Sequence, residues 1–207
     1  MGIPKERIVR VDKLIDELER KTYFDLPNLP HEKDEIFVDA GGYDGGSSKN
    51  FAEWARSFKH IYAFEPDPQN ISVCEETLQV IPAGKATVLP YGVWQEKGIL
   101  RFRSDGTIWS SIESDGNLRV PVTSIDEELG EEHLTFIKMD IEGSELSALK
   151  GAEQSIRNNH PKLAISIYHR PEDIFTLPAL LLTYHPDYKF YLRHYSLGSV
   201  DTVLYAI

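Results

Sequence analysis

The chain has 207 residues, 41% hydrophobic and 27% charged, the ordinary balance of a globular protein large enough to bury a core. Its formal charge of −11, with no Lys/Arg run interleaved with aromatics, argues against a nucleic-acid surface. A single cysteine, Cys74, excludes a disulfide framework or a thiolate metal cluster, and no apolar run is long enough to suggest a membrane partner. Met1–Lys21 is amphipathic and charged rather than signal-like, so a cytoplasmic protein is expected.

Ile8, Val11, Leu14, Ile15 and Leu18 recur at helical spacing, and Asp25–His31 carries two prolines. Residues 1–34 are therefore expected to form an amphipathic helix and linker, packed on an edge of the main domain or covering its ligand. The main domain is expected to run from 35 to 207.

Ile36-Phe37-Val38 reads as a buried strand closed by Asp39, and Ala40-Gly41-Gly42-Tyr43-Asp44-Gly45 follows as a glycine turn. Phe51, Trp54, Ala55 and Phe58 then continue at helical spacing. Strand, glycine turn and helix together bring backbone close to a small cofactor and aim a helix N-terminus at it. A nicotinamide or flavin fingerprint needs Gly-x-Gly-x-x-Gly, and its second glycine would fall at Tyr43 or Asp44. The spelling is instead Asp-x-Gly-x-x-x-Gly, which suits S-adenosylmethionine. The acid at the strand tip suits an ammonium, and the N–H groups of the turn and helix start suit a carboxylate. His60–Pro66 reads as the next strand. Its terminal Glu65, about 20 residues past the turn, is placed to accept from both ribose hydroxyls.

A helix after Asp67 carries Ile71, Cys74 and Leu78, and Ala86–Leu89 is a third strand leading into Tyr91-Gly92-Val93-Trp94. From Gly98 to Ile125 the period becomes two. Ile99–Arg103 and Leu118–Val122 read as a β-hairpin insertion, with Trp109 in a loop that could close over the site. Leu134–Asp140 is the fourth core strand, and Ser144 is expected to cap one helix through Leu146, Leu149 and Ile156. Lys162–Tyr168 is the fifth strand. Pro171 starts a helix that Pro178 is expected to break. Tyr188–Arg193 and Thr202–Ala206 close the chain as a hairpin, ending in an antiparallel C-terminal strand. Alternating strands and helices predict an α/β, mostly parallel sheet with helices on both faces and ligands at the carboxyl ends of its strands. That rule selects Asp39, Glu65, Tyr91, Asp140, Glu142, Tyr168 and His169.

The segment Phe136-Ile137-Lys138-Met139-Asp140-Ile141-Glu142-Gly143-Ser144-Glu145-Leu146 resembles the hallmark of the FkbM-type methyltransferases. The turn at Asp39–Gly45, Phe64-Glu65-Pro66, Pro121–Asp126 and Leu149-Lys150-Gly151-Ala152 are similar to that family as well, over roughly Ile36 to Ile207. The resemblance implies a Rossmann-like seven-stranded fold with S-adenosylmethionine as donor. The implied acceptor is a hydroxyl of a small molecule or saccharide. It places cofactor contacts on Asp39, Ala40, Gly41, Gly42, Tyr43, Asp44, Gly45, Ser47, Glu65, Pro66, Gly92, Val93 and Asp140. Pro90–Trp94 lacks the acid that many methyltransferases turn toward adenine, so adenine is expected to rest on backbone and apolar groups.

Methyl transfer to a hydroxyl needs the acceptor oxygen about 3 Å from the methyl carbon and a receiver for its proton. His169 is the candidate base, because imidazole titrates near neutral pH. Asp140 and Glu142 are expected to orient it, meet the cofactor amine or touch the acceptor. A divalent metal held by carboxylates at the fourth-strand tip is an alternative for which the sequence offers no compact ligand spacing. A silent S-adenosylmethionine-binding module and a nicotinamide oxidoreductase are the competing readings. Tyr184, Tyr188, Tyr191, Tyr195 and Tyr205 read mostly as core, and His31, His133, His160, His185 and His194 as surface or turn residues. Acceptor identity and oligomeric state have no signal in the sequence.

Overall fold

The computed structural model describes residues 22–102, 118–196 and 198–207. The strands are β1 (Glu35–Ala40), β2 (Phe58–Phe64), β3 (Ala86–Leu89), β4 (Gly92–Val93), β5 (Gly98–Phe102), β6 (Leu118–Thr123), β7 (Phe136–Met139), β8 (Lys162–Ser166), β9 (Phe190–His194) and β10 (Thr202–Ala206). The α-helices are α1 (Gly46–Trp54), α2 (Pro68–Thr77), α3 (Ile125–Leu129), α4 (Glu145–Lys150), α5 (Glu153–Asn159) and α6 (Asp173–Tyr184). The predicted N-terminal helix and Trp109 lie outside the described residues.

Seven strands form one sheet in the order β3-β2-β1-β7-β8-β10-β9. Neighbours from β3 to β8 are parallel, while β10 runs antiparallel to β8 and to β9. This is the α/β, Rossmann-like sheet with an antiparallel C-terminal strand that the sequence predicted. The expected hairpin insertion is present as antiparallel β5–β6, and β4 adds to it in parallel as a separate three-stranded sheet.

Strand alternation divides the core in two. Val38, Ile137, Met139, Leu163 and Ile165 point to one face, under α4–α6 residues such as Leu149, Ile156, Leu177 and Leu181. Phe37, Phe136, Ala164 and Tyr205 point to the other, with Phe51 of α1. Phe37 stacks on Phe51 at 4.2 Å between ring centroids, and Phe136 meets Phe37 edge-on at 5.5 Å. Such aromatic pairs contribute about 0.5–1.5 kcal/mol each beyond burial. Phe24 enters the same cluster, edge-on to Phe37 and Phe136, so the proline-bearing stretch packs on this sheet face.

Several expected boundaries are corrected. The helical pattern does not reach Phe58: α1 ends at Trp54 and Phe58 opens β2. Pro178 lies inside α6 rather than breaking it. The carbonyl it leaves without a helical donor belongs to Ile174, which is 46% exposed and open to water, while Leu177, Leu181 and Tyr184 keep the helix on the core. The helix expected from Ser144 to Ile156 is two helices, and Ser144 makes no side-chain cap. The break falls at Gly151, where an added Cβ would meet the Trp94 carbonyl oxygen at 2.2 Å and Ser124 Cβ at 2.8 Å. Asp126 then accepts from the Gln154 and Ser155 N–H groups and starts α5 afresh. α3 was not predicted; its signal is the capping box of Ser124 and Glu127.

Gly151→Ala is expected to cost about 1–3 kcal/mol of stability, because the obstacle is backbone that must move. Gly98→Ala, with nothing within 4 Å of its added Cβ, should stay within about 0.5 kcal/mol of the parent. Urea unfolding midpoints of the two variants check the contrast.

Candidate active site

The site is built at the carboxyl ends of β1, β2, β7 and β8. At the first of these, Gly41 has φ +86 and Gly45 φ +81, and an added Cβ at Gly41 would fall 2.0 Å from the Asp140 carbonyl oxygen. Only glycine allows the turn to pass this close to the β7 tip. Gly41 and Gly42 donate to the Phe64 carbonyl oxygen, fastening the turn to β2 as well. Tyr43 takes a left-handed backbone, with φ 45, and its ring is exposed. Ser47 lies half-buried in the first turn of α1.

Asp39 stands at the β1 tip, and its side chain has no exposed surface: the partners it has within the fold are a lysine and a serine. Oδ1 accepts from Lys138 Nζ at 2.8 Å and Oδ2 from Ser48 Oγ at 2.7 Å. The register places Asp39 beside Lys138 on the neighbouring parallel strand. Lys138 Nζ also donates to the Gly41 carbonyl oxygen at 2.7 Å. Asp39 therefore shapes the turn from beneath. Lys138 and Ser48 were missed as functional positions; the available signal was a lysine between Ile137 and Met139 in an otherwise apolar strand.

Glu65 is nearly buried at the β2 tip. Oε2 accepts from the Tyr43 N–H at 2.9 Å, and Oε1 from the Asp67 N–H at 2.9 Å. Both oxygens thus face the turn and the start of α2. Gly92 approaches Pro66, whose Cγ would lie 3.8 Å from an added Cβ, and Val93 is buried beside it. The residues expected around a nucleoside are thereby gathered along one rim.

The second group of residues forms at β7 and β8. Glu142 (φ 55) and Gly143 (φ 89) are a left-handed pair that reverses the chain after Asp140. The reversal turns Glu145 back underneath, where Oε1 accepts from the Ile141 N–H at 3.0 Å. His169 Nδ1 stands 2.8 Å from the same Oε1, and the imidazole is almost wholly buried. Its Nε2 lies 3.4 Å from Asp140 Oδ1 and 3.4 Å from Glu142 Oε2. The three predicted catalytic residues are thus brought together, and Glu145 is the partner that sequence reasoning left without a role.

Asp140 is held from two sides. Tyr23 donates to Oδ2 at 2.8 Å and Tyr168 to Oδ1 at 3.1 Å. Tyr23 comes from the segment ahead of β1, has φ 74, and carries its ring over Lys138 Nζ at 5.4 Å. Nothing in the sequence marked it. Burial, then the charge of Asp140, pushes the Tyr23 hydroxyl well above its ordinary pKa, so it remains a donor.

Charge crowding sets the protonation of this corner. Burial acts to lower the His169 pKa, but the hydrogen bond and charge of Glu145, with Asp140 and Glu142, outweigh it and the net shift is upward. Burial raises Glu142, partly offset by His169. Burial also lifts the Asp173 carboxyl to about 6, with the charge of Glu145 adding to it.

Lys138→Met is expected to destabilise the fold by about 3–5 kcal/mol, because it strands a fully buried carboxylate. Adding Asp39→Leu to that variant should recover a large part of the loss. Chemical denaturation of both variants measures the difference, and equal instability in the two would contradict the pairing.

The family profile described as methyltransferase FkbM domain matches residues 39–196. A crystal structure of methyltransferase FkbM from Methylobacillus flagellatus KT is 32% identical with a TM-score of 0.77, covering 91% of this chain and 48% of that one. The 2-O-methyltransferase NoeI of Sinorhizobium fredii (strain NBRC 101917 / NGR234) is 21% identical over 160 residues, 66% of this chain and 65% of its own length. The chain thus spans about half to two thirds of these relatives. Aeropyrum pernix fibrillarin, solved with natively bound S-adenosyl-L-methionine, shares the fold at 13% identity, with a TM-score of 0.54 over 94% of this chain and 74% of its own. By the extent of the profile match, the chain belongs to the methyltransferase FkbM domain family.

Proposed function

We propose that the protein is an S-adenosylmethionine-dependent O-methyltransferase acting on a hydroxyl of a small molecule or saccharide. The observation that carries the reading is the close approach of the Gly41 turn to the Asp140 carbonyl, which sets the glycine turn directly beside the Asp140–Glu142–His169 corner.

The residues fit the cofactor in chemistry. When bound, S-adenosylmethionine supplies a methyl group already activated on a sulfonium. Glu65 supports the ribose end, since a carboxylate at the β2 tip can exchange its backbone donors for a vicinal diol. The turn from Ala40 to Asp44 and the start of α1 at Ser47 support the amino-acid end, with the positive end of the helix facing it. Asp39 contributes from beneath, through Lys138 and the shape of the turn. Pro66, Gly92 and Val93 offer backbone and apolar surface for adenine. Asp140 belongs to both ends of the reaction.

The acceptor enters at the second corner. A neutral alcohol must lose its proton as its oxygen attacks, and positioning supplies most of the remaining acceleration. His169 Nε2 and the two carboxylates beside it are the groups that face this task. The oxygen acceptor is supported by NoeI, which is a 2-O-methyltransferase.

Calorimetric titration is expected to give one saturable site for S-adenosylhomocysteine and none for NAD. Glu65→Ala should weaken S-adenosylhomocysteine at least tenfold, in line with loss of a charged hydrogen-bonding partner worth about 1.5–3 kcal/mol. Mass-shift screening of saccharide and small-molecule alcohols with labelled donor reads the transfer itself. Tight binding with no labelled product from any alcohol would instead favour a silent binding module, and absence of binding would end the cofactor assignment.

A further inference from the structure

At the mouth of the second corner the His169 imidazole stands within reach of two carboxylates, at distances that suit a shared ion. The separations from His169 Nε2 to Asp140 Oδ1 and to Glu142 Oε2 are both 3.4 Å, long for a direct hydrogen bond. They match neighbouring ligands of one cation, since donors about 2.1–2.5 Å from an ion stand about 3.0–3.5 Å apart at right angles.

The outer contacts have the form of a metal centre. Glu145 faces Nδ1 at 2.8 Å, which keeps the N–H on that nitrogen and the lone pair on Nε2. Carboxylate behind imidazole is the arrangement that orients metal-binding histidines. The Asp140 carboxylate is likewise held by the Tyr23 and Tyr168 hydroxyls. An independent observation concerns Glu145 Oε2, which is fully buried and has no hydrogen-bond partner among the described residues. A buried anionic oxygen without a donor marks the place of a missing positive partner. Glu145 also offers an oxygen within a set, shared with Asp140 and His169, whose ligand atoms all lie within 4.8 Å of one another.

We infer that this corner binds one divalent cation through His169 Nε2, Asp140 and Glu142, with Glu145 behind the imidazole at Nδ1. One imidazole among carboxylates suits Mn²⁺ or Zn²⁺ better than Mg²⁺, which prefers oxygen and retains its waters. Asp140 and Glu142 are partly open to solvent, so coordination positions remain for water or for an alcohol. An acceptor hydroxyl coordinated there would be a stronger acid than a free alcohol, and with Nε2 holding the ion its proton would pass to water rather than to His169. That step rests on the methyl-transfer reading; the cation site does not.

The full-length chain, treated with EDTA and dialysed, is titrated separately with Mn²⁺, Zn²⁺ and Mg²⁺ by calorimetry, with Mn²⁺ also followed by electron paramagnetic resonance. One equivalent of Mn²⁺ or Zn²⁺ is expected to bind, more tightly than Mg²⁺. Glu142→Gln, on the exposed turn, should weaken Mn²⁺ at least tenfold, and His169→Ala should weaken it further. Glu65→Ala should leave Mn²⁺ affinity within twofold while weakening S-adenosylhomocysteine. If His169→Ala does not fold by circular dichroism, Glu142→Gln alone decides. Absence of saturable 1:1 binding of Mn²⁺ and Zn²⁺ to the folded protein overturns the site. So does binding that Glu142→Gln leaves unchanged. Failure of the cofactor reading would appear separately, as intact Mn²⁺ binding with no S-adenosylhomocysteine binding.

Discussion

The buried ion pair between Asp39 and Lys138 is the interaction on which the rest of the site depends. Two charges with almost no exposed surface are expensive to desolvate, and their attraction offsets that only when the remaining donors and lone pairs are also used. Here they are used. Lys138 spends its hydrogens on Asp39 and on the carbonyl oxygens of Gly41 and Ala40, and Asp39 takes a further hydrogen from Ser48. One pair thereby joins β1 to β7, the glycine turn to the sheet, and α1 to the strand before it. The two corners of the site keep a fixed separation because one stands on β1, the other on β7, and this pair ties the two strands together.

Rigidity is distributed accordingly. β1, β7 and β8 are buried along their whole lengths, so the tips from which Asp140 and His169 emerge have little freedom. The turn between β7 and α4 adds conformational constraint, with a left-handed Glu142 followed by a left-handed Gly143 packed against Arg170 and His169. A substituent at Gly143 would press on the Arg170 side chain, 3.0 Å away, and would itself take a left-handed backbone. Preorganisation of this kind reduces what a reacting group must reorganise, which is where a positioning enzyme gains its rate.

The parallel sheet, the glycine turn and the strand-end acids were legible because each leaves a local mark: a branched apolar run, a spelled turn, an acid where hydrophobicity stops. The same reading assigned Asp39 a cofactor ammonium and had no means of seeing Lys138, since a strand-terminal acid looks alike whether its neighbour is a ligand or a lysine about 100 residues away. Pro178 was read through propensity, and burial of Leu177 and Leu181 overrode it. Ser124 and Ser144 both precede helices, yet only Ser124, with Glu127 three residues on, uses its hydroxyl as a cap; at the other helix the Glu142–Gly143 reversal presents Glu145 to the Ile141 N–H and to His169. Glu145 and Tyr23 gain their parts from folding alone, through partners far from them in the chain.

Tyr23 carries a consequence for where this protein can be trimmed. The shared family region begins at residue 39, yet one of the two hydroxyls that hold Asp140 arrives from upstream of it. A carboxylate keeps its aim only while the donors that hold it stay in place. The orientation of this acid is therefore governed in part by a segment outside the matched region, and a chain trimmed to that region would lose one of its two supports.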